Sequence, residues 1–170
     1  MKIAITISCL LVILTSCGFS PLYKINKEIL NYKVNVIIKT QQDAIDESLD
    51  RDKQVLRHFL RSRLNIPGAK PSSLKLVIEM TRSIYGMGIQ KDLTTTRNAI
   101  SYNISFKFYD KLGEISSGSI SKSSSFNIGE SPYQSLRAEE TSAKNVLKSI
   151  ANELSLIIST TPNKRKVVYP

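Results

Sequence analysis

Apolar positions along the chain change their period several times, and each change marks an element. Residues 3–14 are almost continuously apolar, broken only by Thr6 and Ser8. Tyr32-Lys33-Val34-Asn35-Val36-Ile37-Ile38 alternates and is rich in β-branched residues, which predicts a strand. From about Asp43 to Leu64 the period lengthens. Leu49, Leu56, Leu60 and Leu64 fall on one stripe at 100° per residue, with Phe59 on its flank, so an amphipathic helix is expected up to Pro67-Gly68.

Alternation returns at Leu74, Leu76, Ile78 and Met80, and Gly86 and Gly88 beyond them read as a bulge or turn. A long strand is predicted over roughly Thr94 to Tyr109. Ile100, Tyr102, Ile104, Phe106 and Phe108 share one face of it, and Arg97, Ser101, Asn103, Ser105 and Lys107 share the other. Asp110-Lys111-Leu112-Gly113 is a hairpin turn, and Glu114 to Asn127 returns as a Ser-rich strand. Ile115 and Ile120 differ in parity, which points to an irregularity at Gly118. Ser131-Pro132-Tyr133-Gln134 then fits a capping box with proline at the first helical position. Leu136, Ala143, Leu147, Ile150, Leu154, Ile157 and Ile158 continue it as an apolar stripe. The expected order is β-α-β-β-β-α: an α+β fold with two helices on one face of a four-stranded, largely antiparallel sheet. The expected organisation is a single domain over 33–160, preceded by two short segments and followed by a basic tail, 161–170.

The N-terminus sets the compartment. Lys2, the apolar run and the small residues Thr15 and Ser16 before Cys17 have the layout of a secretory signal. Its apolar run is shorter than the ~20 residues that span a bilayer. Leu14-Thr15-Ser16-Cys17 resembles the lipobox of bacterial lipoproteins, in which the thiol accepts a diacylglyceryl group. Residues 1–16 are therefore expected to be a signal peptide, and 17–32 a lipidated N-terminus and tether. Without acylation, loss of Cys9 with the signal would leave Cys17 an unpaired thiol in an oxidising compartment.

At 170 residues with 41% hydrophobic and 22% charged positions, the chain suits one folded domain. Its formal net charge of +10 points to an anionic partner. Export excludes nucleic acid as the expected partner and favours a membrane surface or a phosphorylated glycolipid. Arg82, Lys91, Arg97, Lys107 and Lys122 lie in or beside the three long strands and are the candidate anionic-lipid contacts; scattered solubilising charge is the plainer alternative.

No catalytic constellation is legible. His58 is the single histidine and falls on the solvent side of the first helix, so neither a Cys/His pair nor a histidine metal site can be assembled. Asp43, Asp46, Glu47, Asp50 and Asp52 read as favourable charge near a helix N-terminus. Gly86-Met87-Gly88 lacks the length and the lysine of a phosphate loop. The expectation is a protein that is not an enzyme and carries no cofactor or metal.

Cys17-Gly18-Phe19-Ser20-Pro21-Leu22-Tyr23 resembles the start of mature lipopolysaccharide-assembly lipoproteins of the LptE family, particularly the alphaproteobacterial type. Tyr102 to Asp110, Tyr133 and Ala138-Glu139-Glu140 before a long amphipathic helix extend the likeness over nearly all of the mature chain. The resemblance implies a lipid-anchored plug and assembly partner of a large outer-membrane β-barrel translocon (LptD-like) that binds lipopolysaccharide at the periplasmic face of the outer membrane. Only the lipidated Cys17 carries over residue by residue. The alternative is an accessory periplasmic lipoprotein of another lipid or solute transporter.

Overall fold

The computed structural model of the chain describes residues 32–40, 47–65, 67–89 and 95–161. The expected signal peptide, the lipidated Cys17 and its tether up to residue 31, Lys91, and most of the basic tail lie outside the described residues. The elements are β1 (Asn35–Thr40), α1 (Glu47–Leu64), β2 (Lys75–Ile89), β3 (Thr95–Asp110), β4 (Gly113–Asn127) and α2 (Pro132–Thr160). The order is the expected β-α-β-β-β-α.

The four strands form one sheet in sequence order. β1 pairs in parallel with β2, as a strand–helix–strand connection requires. The β2–β3 and β3–β4 pairs are antiparallel, so the sheet is mixed with a single parallel edge. One face is apolar: Val36 and Ile38, then Leu76, Ile78 and Met80, then Ile100 to Phe108 at alternate positions are all buried beneath the helices. Leu49, Leu56, Leu60 and Leu64 of α1 close over it, beside Leu147, Ile150, Leu154 and Ile158 of α2. The opposite face is polar, with Ser101, Asn103 and Ser105 on β3 beside the alternate serines Ser117 to Ser125 on β4.

The helices run in the same direction. Arg51 near the start of α1 meets Glu140 early in α2, and Arg63 in the last turn of α1 meets Asn152 far along α2. Both C-termini therefore lie at one end of the sheet, where Asn65 Oδ1 accepts from the Val34 amide at 2.8 Å. The Ser131 hydroxyl caps α2 by accepting from the Gln134 amide at 3.3 Å.

Two local expectations need correction. Gly86 is neither bulge nor turn: β2 runs through it to Ile89, and it pairs with Asn98. The irregularity of β4 sits at Ile115, not at Gly118. Phe108 pairs with Ser116 and Tyr109 with Glu114, which leaves Ile115 as the extra residue of a bulge. The bulge resets the parity, so that Ile115 and Ile120 both pack on the core. Gly118 stays in register opposite Phe106, and its missing side chain makes room for that ring. A Cβ there would lie 3.0 Å from the Phe106 ring. Gly118→Val should lower the unfolding free energy by about 1–3 kcal/mol through this overpacking, read as an earlier urea midpoint with unchanged slope.

Candidate functional site

Of the five candidate cations, Lys91 lies outside the described residues, and the other four divide among separate places. Arg82, Tyr102 and Lys122 form one row across β2, β3 and β4 on the helix-covered face. Lys122 Nζ lies 2.7 Å from Glu153 of α2. Arg82 Nε lies 3.2 Å from Asp52 of α1, and its Nη2 bonds Glu139 of α2. Tyr102 donates its hydroxyl proton to Asp52. Two of the candidates are thus matched by carboxylates at the helix–sheet seam, where no external anion is needed.

Asp52 and Tyr102 are almost completely buried. Burial pushes the Asp52 carboxyl above its ordinary range, opposed in part by the Tyr102 hydroxyl and the Arg82 charge. Tyr102 moves up as well, through burial and then through the bond to Asp52. Burial works against the Arg82 charge, but Tyr102, Asp52 and Glu139 outweigh it and hold the guanidinium protonated. Asp52 corrects the reading of residues 43–52 as helix-terminus charge, of which 43–46 lie outside the described residues. It sits three residues after Leu49 and four before Leu56, on the apolar stripe itself. That spacing was the available signal.

Arg97 and Lys107 do share the open face, but ten residues of one strand separate them, about 33 Å at ~3.3 Å per residue. They cannot hold the same headgroup. Lys107 lies near the base of the sheet, opposite Val77 and Ser117. Arg97 lies near the tip, between Met87 and Asn127.

The tip is where the helices stop covering the sheet. Of the eight large exposed apolar side chains among the described residues, six lie toward that end: Tyr85 and Met87 on the open face of β2 with Arg97, Ile84 on its helix-covered face, Ile128 after β4, and Tyr133 and Leu136 at the start of α2. Their exposure runs from 39% to 65%, well above that of a core rim. Arg137 stacks over the Tyr133 ring at 5.5 Å, and Arg97 stands beside Met87. Aliphatic and aromatic surface flanked by guanidinium groups suits an amphiphile with an anionic head. The sequence offers Arg97 as a candidate but not its apolar neighbours, because a turn is expected at Gly86 and Gly88 and the exposure of Ile84, Tyr85 and Met87 depends on where the helices end.

His58 is exposed on the outer side of α1, with its ring tilted against Phe59 at 5.9 Å. Among the described residues no group of three potential metal ligands occurs, and no helix is long and apolar enough to cross a membrane.

No protein-family model matches the chain, and no curated protein sequence matches it. Solved structures do. A protein of Caulobacter crescentus described as a lipoprotein superimposes with a TM-score of 0.55 at 17% identity, over 79% of this chain and 92% of that one. A minor lipoprotein of Acinetobacter baumannii gives 0.51 at 15% identity, over 82% and 98%. A homologue of the neuraminyllactose-binding haemagglutinin from Helicobacter pylori gives 0.54 at 13% identity, over 82% and 92%. The chain shares the fold of these proteins across nearly their whole length, and a shared fold does not select a function.

Two outcomes test the buried seam. Asp52→Ala removes one of the two carboxylates facing Arg82 and the acceptor of the Tyr102 hydroxyl, and should cost about 3 kcal/mol in chemical denaturation. For pH, a carboxyl whose folded value is raised binds more protons in the folded state than in the unfolded one. Its contribution is therefore fully present below about pH 4 and is lost as pH rises through the folded value. The stability of the wild type relative to Asp52→Asn should fall across that rise; a relative stability that climbs with pH contradicts the assignment.

Proposed function

We propose that the chain is an outer-membrane lipoprotein of lipopolysaccharide transport, anchored through Cys17 and acting by binding, not by catalysis. The observation that carries this reading is the tip, where exposed apolar side chains lie beside Arg97 at the uncovered end of the sheet. Such a surface takes the acyl region of an amphiphile and gives its phosphate a charge-assisted bond. The lipobox-like Leu14-Thr15-Ser16-Cys17 and the run from Cys17 to Tyr23 support the anchor and the LptE-like assignment. Neighbours described as lipoproteins are consistent with it. In this reading the domain is the plug and assembly partner of a large β-barrel translocon at the periplasmic face of the outer membrane. The many candidate cations reduce to one principal contact, Arg97.

Three outcomes follow. Fatty-acid labelling should mark the chain and vanish in Cys17→Ala. Affinity purification of the tagged chain should bring down a large β-barrel protein; recovery of an inner-membrane transporter without a barrel supports instead an accessory subunit of another transporter. Arg97→Glu and Met87→Asp should each weaken lipopolysaccharide binding roughly tenfold or more, the value of one charge-assisted or apolar contact. Arg82→Met should act on stability and leave binding near that of the wild type. Unchanged binding in both tip variants removes the tip as the site.

A further inference from the structure

The end of the molecule opposite the tip has its own character. Tyr32 bridges to Lys70 there, so the described residues begin at this base. The last turns of α1 and α2 lie at the same end. The start of β2 and the β3–β4 turn complete it, since Lys75 pairs with Tyr109, one residue before Asp110. Exposed on this end are Lys33, Arg61, Lys70, Lys75 and Lys111. Against them stand Asp110, whose Oδ1 is taken by the Leu112 amide, and Glu114. Large apolar surface is limited here: among the described residues Leu112 and, near the end of α2, Leu156 are the exposed cases.

Charge at helix C-termini is ordinary and would explain Arg61 alone. It does not explain Lys33, Lys70, Lys75 and Lys111, which come from loops and strand ends. Their common feature is nearness to the point where the anchored segment joins the domain. Fifteen steps separate Cys17 from Tyr32, a reach of about 50 Å when extended. The tether alone therefore allows either end of the domain to meet the membrane.

We propose that the base docks on an anionic phospholipid surface, and that its lysines hold the tip about 40 Å away from that surface, the length of β2 between Lys75 and Met87. This rests on the reading of Cys17 as the lipid anchor, and it concerns the anchored domain outside a barrel, since a domain seated as a plug cannot stand on the leaflet. The partner is a leaflet of phosphodiester headgroups, met by several separate cations; it is not a single bound lipid, because the cations come from separate loops, strand ends and the end of α1. Each exposed cation close to such a leaflet favours contact roughly fivefold, an effect that salt suppresses.

The test uses the mature, acylated chain in vesicles of phosphatidylcholine, with or without phosphatidylglycerol, containing a lipid-borne fluorescence quencher. With Cys9 removed in the signal and Cys17 acylated, one introduced cysteine is the only thiol to label. A fluorophore at Leu112→Cys should be quenched in phosphatidylglycerol vesicles at low salt, and at least twofold less in phosphatidylcholine alone or at 1 M salt. A fluorophore at Met87→Cys should stay unquenched in all of them. Lys70→Glu with Lys75→Glu should abolish the difference at Leu112, whereas the charge-matched Lys144→Glu with Lys148→Glu, midway along α2, should preserve it. Equal quenching at Leu112 in neutral and anionic vesicles, or quenching at Met87 instead, overturns the docking. Flotation keeps the two readings apart. Failure to float with neutral vesicles overturns the anchor, while flotation without charge-dependent quenching overturns the docking alone.

Discussion

The structure hangs on one buried seam, the meeting of Asp52 from α1 with Arg82 and Tyr102 from the middle of the sheet. Glu139 binds the same guanidinium from α2, so a single side chain ties both helices to one row of strands. Apolar packing is tolerant of sliding, because leucines and isoleucines can exchange neighbours at small cost. A buried ion pair is not: shifting either helix by one turn would leave a charge in the core without its partner. The seam thus fixes how far along the sheet the helical layer reaches. Beyond that row Ala99, Ile100 and Phe126 are still buried, and exposure rises only toward Tyr85 and Met87, where the tip begins.

Much of the fold was legible because the period of the apolar residues switches cleanly between 2 and 3.6. The core faces of β2 and β3 and the apolar stripes of both helices follow from spacing alone. Local irregularity was harder. The parity change between Ile115 and Ile120 showed that an extra residue had to be absorbed, but not where. Gly118 attracted the assignment because glycine often marks such places, while the register places the bulge at Ile115 and uses Gly118 to seat the Phe106 ring.

Charged residues were legible as types and not as partners. Arg82 and Lys122 look in sequence like Arg97 and Lys107, since each is a basic residue in a strand. Only the register separates them, turning the first two toward acidic residues on the helices and the others toward solvent. Asp52 was hidden by company: four acidic neighbours made it part of a group, when its place on the leucine stripe made it different. The tip was hidden for another reason. An apolar strand residue is ordinary, and its exposure depends on where a distant helix happens to end.

The shortness of β1 has a mechanical meaning. Its ladder to β2 ends at the pair Thr40 and Met80, so among the described residues the nine from Thr81 to Ile89 have a strand neighbour on one side only. The distal hairpin is a cantilever, clamped at the ionic row and unsupported along one flank. Its amide protons should exchange with solvent faster than those between Lys75 and Met80, giving a gradient of local stability along a single continuous strand. Compliance of that kind leaves the far end of β2 free to bend while the clamped end keeps its shape.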